Sequence, residues 1–170
     1  SNGGSFRITA AKENSKFEIS ENVGKLQKHE KELHMDSIQL YCEFQENIKK
    51  TAKELMDFLV KAKKEKKKVY GYGASTKGNV LLQYCGISRS ELTAIAEVNE
   101  DKYGHVTPGT NIPIRPESEI KKENPDYFIV LPWHFKNNIL EKEKAYMLES
   151  GCAFVFPLPK LEIVQFTKDS

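Results

Sequence analysis

The chain has 170 residues, 39% hydrophobic and 29% charged, with 26 basic against 24 acidic side chains and a net charge of +2. That length can bury one substantial core with room for an appended helical segment, and the balanced charge argues against a nucleic-acid-binding protein. Cys42, Cys85 and Cys152 lie far apart without C-x-x-C spacing, no apolar run approaches the ~20 residues of a membrane span, and the polar start does not read as a signal peptide. The expectation is a cytoplasmic protein with reduced thiols, no zinc site, and neither nucleic acid nor membrane as partner.

In chain order, Phe6, Ile8 and Ala10 alternate with Arg7 and Thr9, which predicts a short strand. A lone strand needs a sheet elsewhere, so the chain reads as part of a longer protein. Phe17 to Glu32 is polar and helix-compatible with few apolar anchors, a loose helix. From Met35 to Lys66, apolar residues at Ile38, Tyr41, Cys42, Ile48, Ala52, Leu55, Met56, Leu59 and Ala62 make one stripe of a long amphipathic helix. Such a stripe packs on a sheet or against another copy, so a homodimer through this helix is one expectation. The basic run Lys61 to Lys68 reads as the solvated end of that helix, with a functional basic patch as the alternative.

The stretch KKVYGYGASTKGNVLLQYCG follows. Val69 and Tyr70 end a buried strand, Gly71-Tyr72-Gly73-Ala74-Ser75 makes a glycine turn, and a helix runs through Asn79 to Tyr84. Glycine allows a tight turn and close approach of a ligand, and the helix start offers unpaired N–H groups to an anion, with Lys77 adding a full charge. The dinucleotide fingerprint wants glycine at position 76, where Thr76 stands, with Gly78 coming later; the phosphate-loop pattern is also absent. By pattern alone the stretch is either an anion site or an ordinary strand-to-helix turn.

Leu92 to Val98 predicts a second strand, at whose end Glu97 and Asn99 stand where a ribose hydroxyl would be met. Tyr103 to Ile114 is too rich in glycine and proline for a helix and reads as a loop. A polar helix near Glu117 to Lys122, a continuous apolar strand Asp126 to Leu131, a helix Lys136 to Ser150, and strands Cys152 to Phe156 and Glu162 to Phe166 complete the chain. Alternation from Val69 onward predicts an α/β fold: a Rossmann-like, doubly wound, mostly parallel sheet preceded by the long helix. The carboxyl ends of its strands would bring together the glycine turn, Asn99 and Trp133-His134. Trp133 either stacks on a ligand or fills the core, and His134 is either structural or part of a site.

In order and spacing, GYGASTKGNVLLQYCGI, VNEDKYGHVTPGTNIPI, PDYFIVLPWHF and GCAFVFPLP resemble the C-terminal domain of S-adenosylmethionine-dependent C-methyltransferases that act on nucleotide-linked deoxysugars. The opening NGGSFR resembles the motif that closes the family's central domain. The resemblance implies residues 1–16 as the end of an upstream methyltransferase domain, 17–66 as a helical linker and long helix, and 67–170 as the Rossmann-like domain. It implies that S-adenosylmethionine and the catalytic groups belong to the upstream domain of the same chain, leaving no catalytic, metal or cofactor residue here and no methyl transfer by these residues alone. The implied substrate-binding positions, for a nucleoside-diphosphate sugar, are Gly71, Gly73, Ala74, Ser75, Lys77, Gly78, Asn79, Asn99, Thr107, Gly109, Thr110, Trp133 and His134. Asn99 stands where many members have Asp, His134 where Asn is frequent, and Asn137-Asn138 where Asp-Glu is common. Two other readings compete: a stand-alone NAD- or nucleotide-binding module, and a non-catalytic dimerisation domain.

Overall fold

A computed structural model describes residues 7–167. The described chain forms two compact units, one extending to Ile48 and one from Lys49 onward. Phe6 of the expected first strand lies outside the described residues, and Arg7–Ala10 form no strand, correcting that expectation. Exposed Ile8 has no apolar surface to alternate against, so its pattern had nothing to enforce it.

The first unit holds α1 (Glu21–Glu32) and the start of α2 (Ile38–Lys64). Ser20 caps α1, its side chain accepting from Asn22 N, yet no residue of α1 is buried, in keeping with a loosely packed helix. Ile38, Tyr41 and Phe44 in the first turns of α2 are also exposed. The second half of α2 is different. Leu55, Leu59 and Ala62 are at most 3% exposed, and burial of each leucine stabilises by about 1.5–3 kcal/mol. These three belong to the core of the second unit, so the division between the two compact units falls inside α2.

In that unit β1 (Val69–Tyr72), α3 (Thr76–Cys85), β2 (Ile95–Glu97), β3 (Ile114–Pro116), α4 (Glu117–Lys122), β4 (Tyr127–Val130), α5 (Lys136–Ser150), β5 (Ala153–Phe156) and β6 (Glu162–Val164) follow in order. The sheet has six strands in the order β3-β2-β1-β4-β5-β6, parallel except for β6. Period-2 alternation divides the core between its faces. Val69, Ile95, Ile129 and Val155 meet α2 and α3 on one face; Tyr70, Tyr72, Phe128 and Phe154 meet Ile120 of α4 and Met147 of α5 on the other. The doubly wound α/β fold is as expected from the alternating pattern.

Two boundaries differ from the sequence reading. Strand β1 runs on through Gly71 and Tyr72, so the turn begins at Gly73; a Cβ on Gly71 would lie 2.9 Å from Ile95 Cγ1 on the paired strand. Strand β3 falls at the end of what reads as loop, because three residues that follow Pro113 and end on Pro116 are too short to show a period. Proline is tolerated there because β3 is the sheet edge.

Candidate functional site

Helix crossovers from β1 and β4 leave in opposite directions along the sheet, so the carboxyl ends of these neighbouring strands border an opening, the usual ligand position of such sheets. An open crevice of about 270 Å³ lies there, walled by the turn Gly73-Ala74-Ser75, by Glu97 and Val98 after β2, by Pro132, Phe135 and Ile139, and by Glu117 and Lys142.

The turn is built from glycine geometry and anchored from β2. Gly73 has φ +76°, and a Cβ there would lie 2.9 Å from Pro132 Cγ. Its N–H donates to Ala96 O at 2.8 Å. Ser75 caps α3, its Oγ accepting from Gly78 N at 3.0 Å. Gly78 has its own steric reason: a Cβ would come within 2.5 Å of Leu131 Cβ, so its bare backbone is what lets α3 sit on the end of β4. That close-packing duty belongs to the third glycine of the dinucleotide fingerprint, performed here two residues later than position 76.

Glu97, 6% exposed, is the fastener of the site. Its Oε2 accepts from Ala74 N at 2.9 Å and Lys102 Nζ at 3.1 Å, and its Oε1 from Val98 N at 2.8 Å and Asn99 N at 3.0 Å. A carboxylate has about four lone-pair positions, and these four donors fill them. Burial pushes its pKa up, but the bonds from Asn99 N–H, Lys102 and Val98 N–H prevail and hold it below the usual carboxylate range. Lys102 completes the clamp by donating to Ala74 O at 2.8 Å. Asn99 accepts from Asp101 N at 3.0 Å and so caps the 3-10 turn Glu100–Lys102 that delivers this lysine.

The other expected residues divide. Lys77 is exposed in the first turn of α3, and half-buried Asn79 follows it. Trp133 packs against the cores of both sheet faces, which places it as a plug at the end of β4. The His134 ring lies against that of Phe135 with centroids 4.3 Å apart and planes tilted by 45°, and its buried Nδ1 has no hydrogen-bond partner. Burial first, and then the Lys77 charge, lower its pKa and favour the neutral ring. Thr107, Gly109 and Thr110 do not join the crevice. Their turn precedes β3, whose first residue Ile114 pairs with Ile95 of β2 at the amino ends of the two strands, and Gln83 near the end of α3 donates to Pro108 O at 2.9 Å. Thr107 bonds Thr110 Oγ1 at 2.6 Å and Ile112 N at 2.9 Å, a self-contained turn at the far edge. Sequence reasoning missed Lys102, Glu117, Phe135, Ile139 and Lys142; the charged ones lie on polar helical stretches that carry no motif of their own.

Compared with known proteins, residues 1–159 match the family model described as the C-methyltransferase C-terminal domain. The chain belongs to that family. One relative, the C-methyltransferase NovU of Streptomyces niveus, is 28% identical over 162 residues, which cover 95% of this chain and 38% of NovU. The chain therefore spans about two fifths of that relative's length. In this C-methyltransferase C-terminal domain, no helix among the described residues is long and apolar enough to cross a membrane. No group of three or more His, Cys, Asp or Glu among them is placed to hold a metal.

Proposed function

We propose that this domain holds the nucleotide-sugar substrate of a C-methyltransferase, in the crevice where β1 and β4 part. The observation that carries the reading is the anchored turn: Gly73 at φ +76° brings backbone close to a ligand, and the Ser75-capped start of α3 directs its dipole there. A diphosphate suits that helix end, with Lys77 as a further cation. The methyl donor S-adenosylmethionine and the base that removes a proton beside the sugar ketone are assigned to the remainder of the enzyme. Glu97, the acid that would meet the ribose of a dinucleotide cofactor, already has four donors and no lone pair left for that contact. The same commitment counts against a stand-alone NAD module.

A ligand that binds only the folded state raises the melting temperature, by RT ln(1 + [L]/Kd) in free energy. Thymidine diphosphate and a thymidine-diphosphate sugar are expected to stabilise the protein, and Gly73→Val to remove the effect by driving a side chain onto Pro132. Stabilisation by NAD alone, or by thymidine ligands equally in Gly73→Val, refutes the assignment.

A further inference from the structure

Beside the crevice, Tyr72, Glu117, Lys121, Lys142 and Glu143 form a set of two carboxylates, two ammonium groups and a phenol. Glu143, 2% exposed, accepts from Tyr72 Oη at 2.8 Å and Lys121 Nζ at 2.5 Å, while Lys121 also bonds Glu117 Oε1 at 2.6 Å. Lys142 Nζ lies 3.1 Å from both Glu143 Oε1 and Tyr72 Oη. The charges cancel, so the set stands without an external ion. Its longest contact joins Lys142 Nζ to Glu117 Oε2 at 3.4 Å, and that pair lines the crevice. Glu117 is 12% exposed and Lys142 54%. The deep contacts therefore fix the two side chains, while the loosest one faces the cavity.

We infer that Glu117 and Lys142 read an uncharged, hydroxyl-bearing ring of the ligand, the nucleoside or the sugar, and that the diphosphate lies away from them at the start of α3. This rests on the nucleotide-sugar reading and adds an orientation to it. A hydroxyl both donates and accepts, and an adjacent carboxylate and ammonium offer the complementary pair. A diphosphate beside Glu117 would meet like charge and would have to draw Lys142 from its pairing with Glu117 and Glu143, whereas the first turn of α3 carries no acidic residue. Phe135 and Ile139 give the same cavity an apolar surface for the face of a ring. At about 270 Å³ the cavity is smaller than the roughly 300–1,000 Å³ of sites for whole drug-sized ligands, as expected if it takes one moiety.

The test measures Kd for inorganic pyrophosphate, thymidine diphosphate and thymidine-diphosphate glucose by calorimetry, in the full-length protein and in Glu117→Gln and Phe135→Ala. Phe135 is 45% exposed, so its variant keeps the experiment decisive if loss of the Glu117 charge unsettles the fold. Both variants are expected to weaken thymidine-diphosphate glucose about tenfold or more and leave pyrophosphate within about twofold. Equal weakening of thymidine diphosphate places the nucleoside in the cavity; an unchanged thymidine diphosphate places the sugar there. Tighter binding in Glu117→Gln puts phosphate beside the carboxylate and overturns the inference, as do unchanged sugar-nucleotide affinities in both variants or parallel loss of pyrophosphate affinity. Failure of the wild-type protein to bind any of the three overturns the nucleotide-sugar reading itself, and the orientation with it.

Discussion

Glu97→Gln alters one functional atom in the clamp behind the glycine turn, and its cost follows from the donor count. Each carboxylate oxygen receives two donors: Ala74 N–H and Lys102 on one side, Val98 and Asn99 N–H on the other. Whichever way the amide is turned, its NH₂ faces two donors, which lose their acceptor. An unsatisfied buried donor costs about 1–3 kcal/mol, and Lys102 is 42% exposed and recovers part of its loss from water. A destabilisation of about 2–4 kcal/mol is expected, the larger value with the amide turned toward the two backbone groups. Urea denaturation followed by circular dichroism reads it as a lower midpoint at unchanged slope. A variant with the wild-type midpoint but impaired nucleotide binding would refute the clamp and return Glu97 to the role of a ribose ligand.

Gly78→Ala sets two effects against each other. Alanine gains about 1 kcal/mol of helix propensity over glycine, but its Cβ would sit 2.5 Å from Leu131 Cβ, an overpacking of about 1–3 kcal/mol or more. The crowding is expected to win, with a lower melting temperature by scanning calorimetry; an unchanged or higher one would mean that α3 is not seated this closely on β4. Acid is expected to destabilise the domain through Glu97 and Glu143. Burial opposes ionisation of both, yet their hydrogen-bond donors hold both below the ordinary 4.5. A depressed folded-state pKa means that the stabilisation is complete above the unfolded value and is lost as pH falls through about 4.5 toward the folded values. Urea midpoints should hold from neutrality to about pH 5 and drop below it, and a midpoint unchanged from pH 5 to 3 would contradict the sign.

The apolar stripe of α2 and the apolar runs of β1, β4 and β5 are legible in the sequence, because the spacing of each is set by the element's own geometry, and α4 and α5 read as the helix-compatible stretches between strands. The spacing of the quoted motifs made the family legible too. The glycine turn was visible, but the duties within it were not. Gly71 and Gly78 read as neighbours of Gly73, yet only Gly73 borders the crevice; the others admit Ile95 and Leu131, partners that the fold brings from 24 and 53 residues away. Strand β3 escaped because an edge strand of three residues is held by its pairing with β2, not by its own pattern. The Thr107–Thr110 turn shows the same limit, since only the direction of β3 sends it to the edge opposite the crevice. Local spacing thus determined which elements form and the layered class they build. Tertiary structure decided which residues face the crevice and which brace it, because Glu97, Glu117 and Lys142 at its wall and Lys102 behind the turn take their roles from partners that no sequence period places beside them.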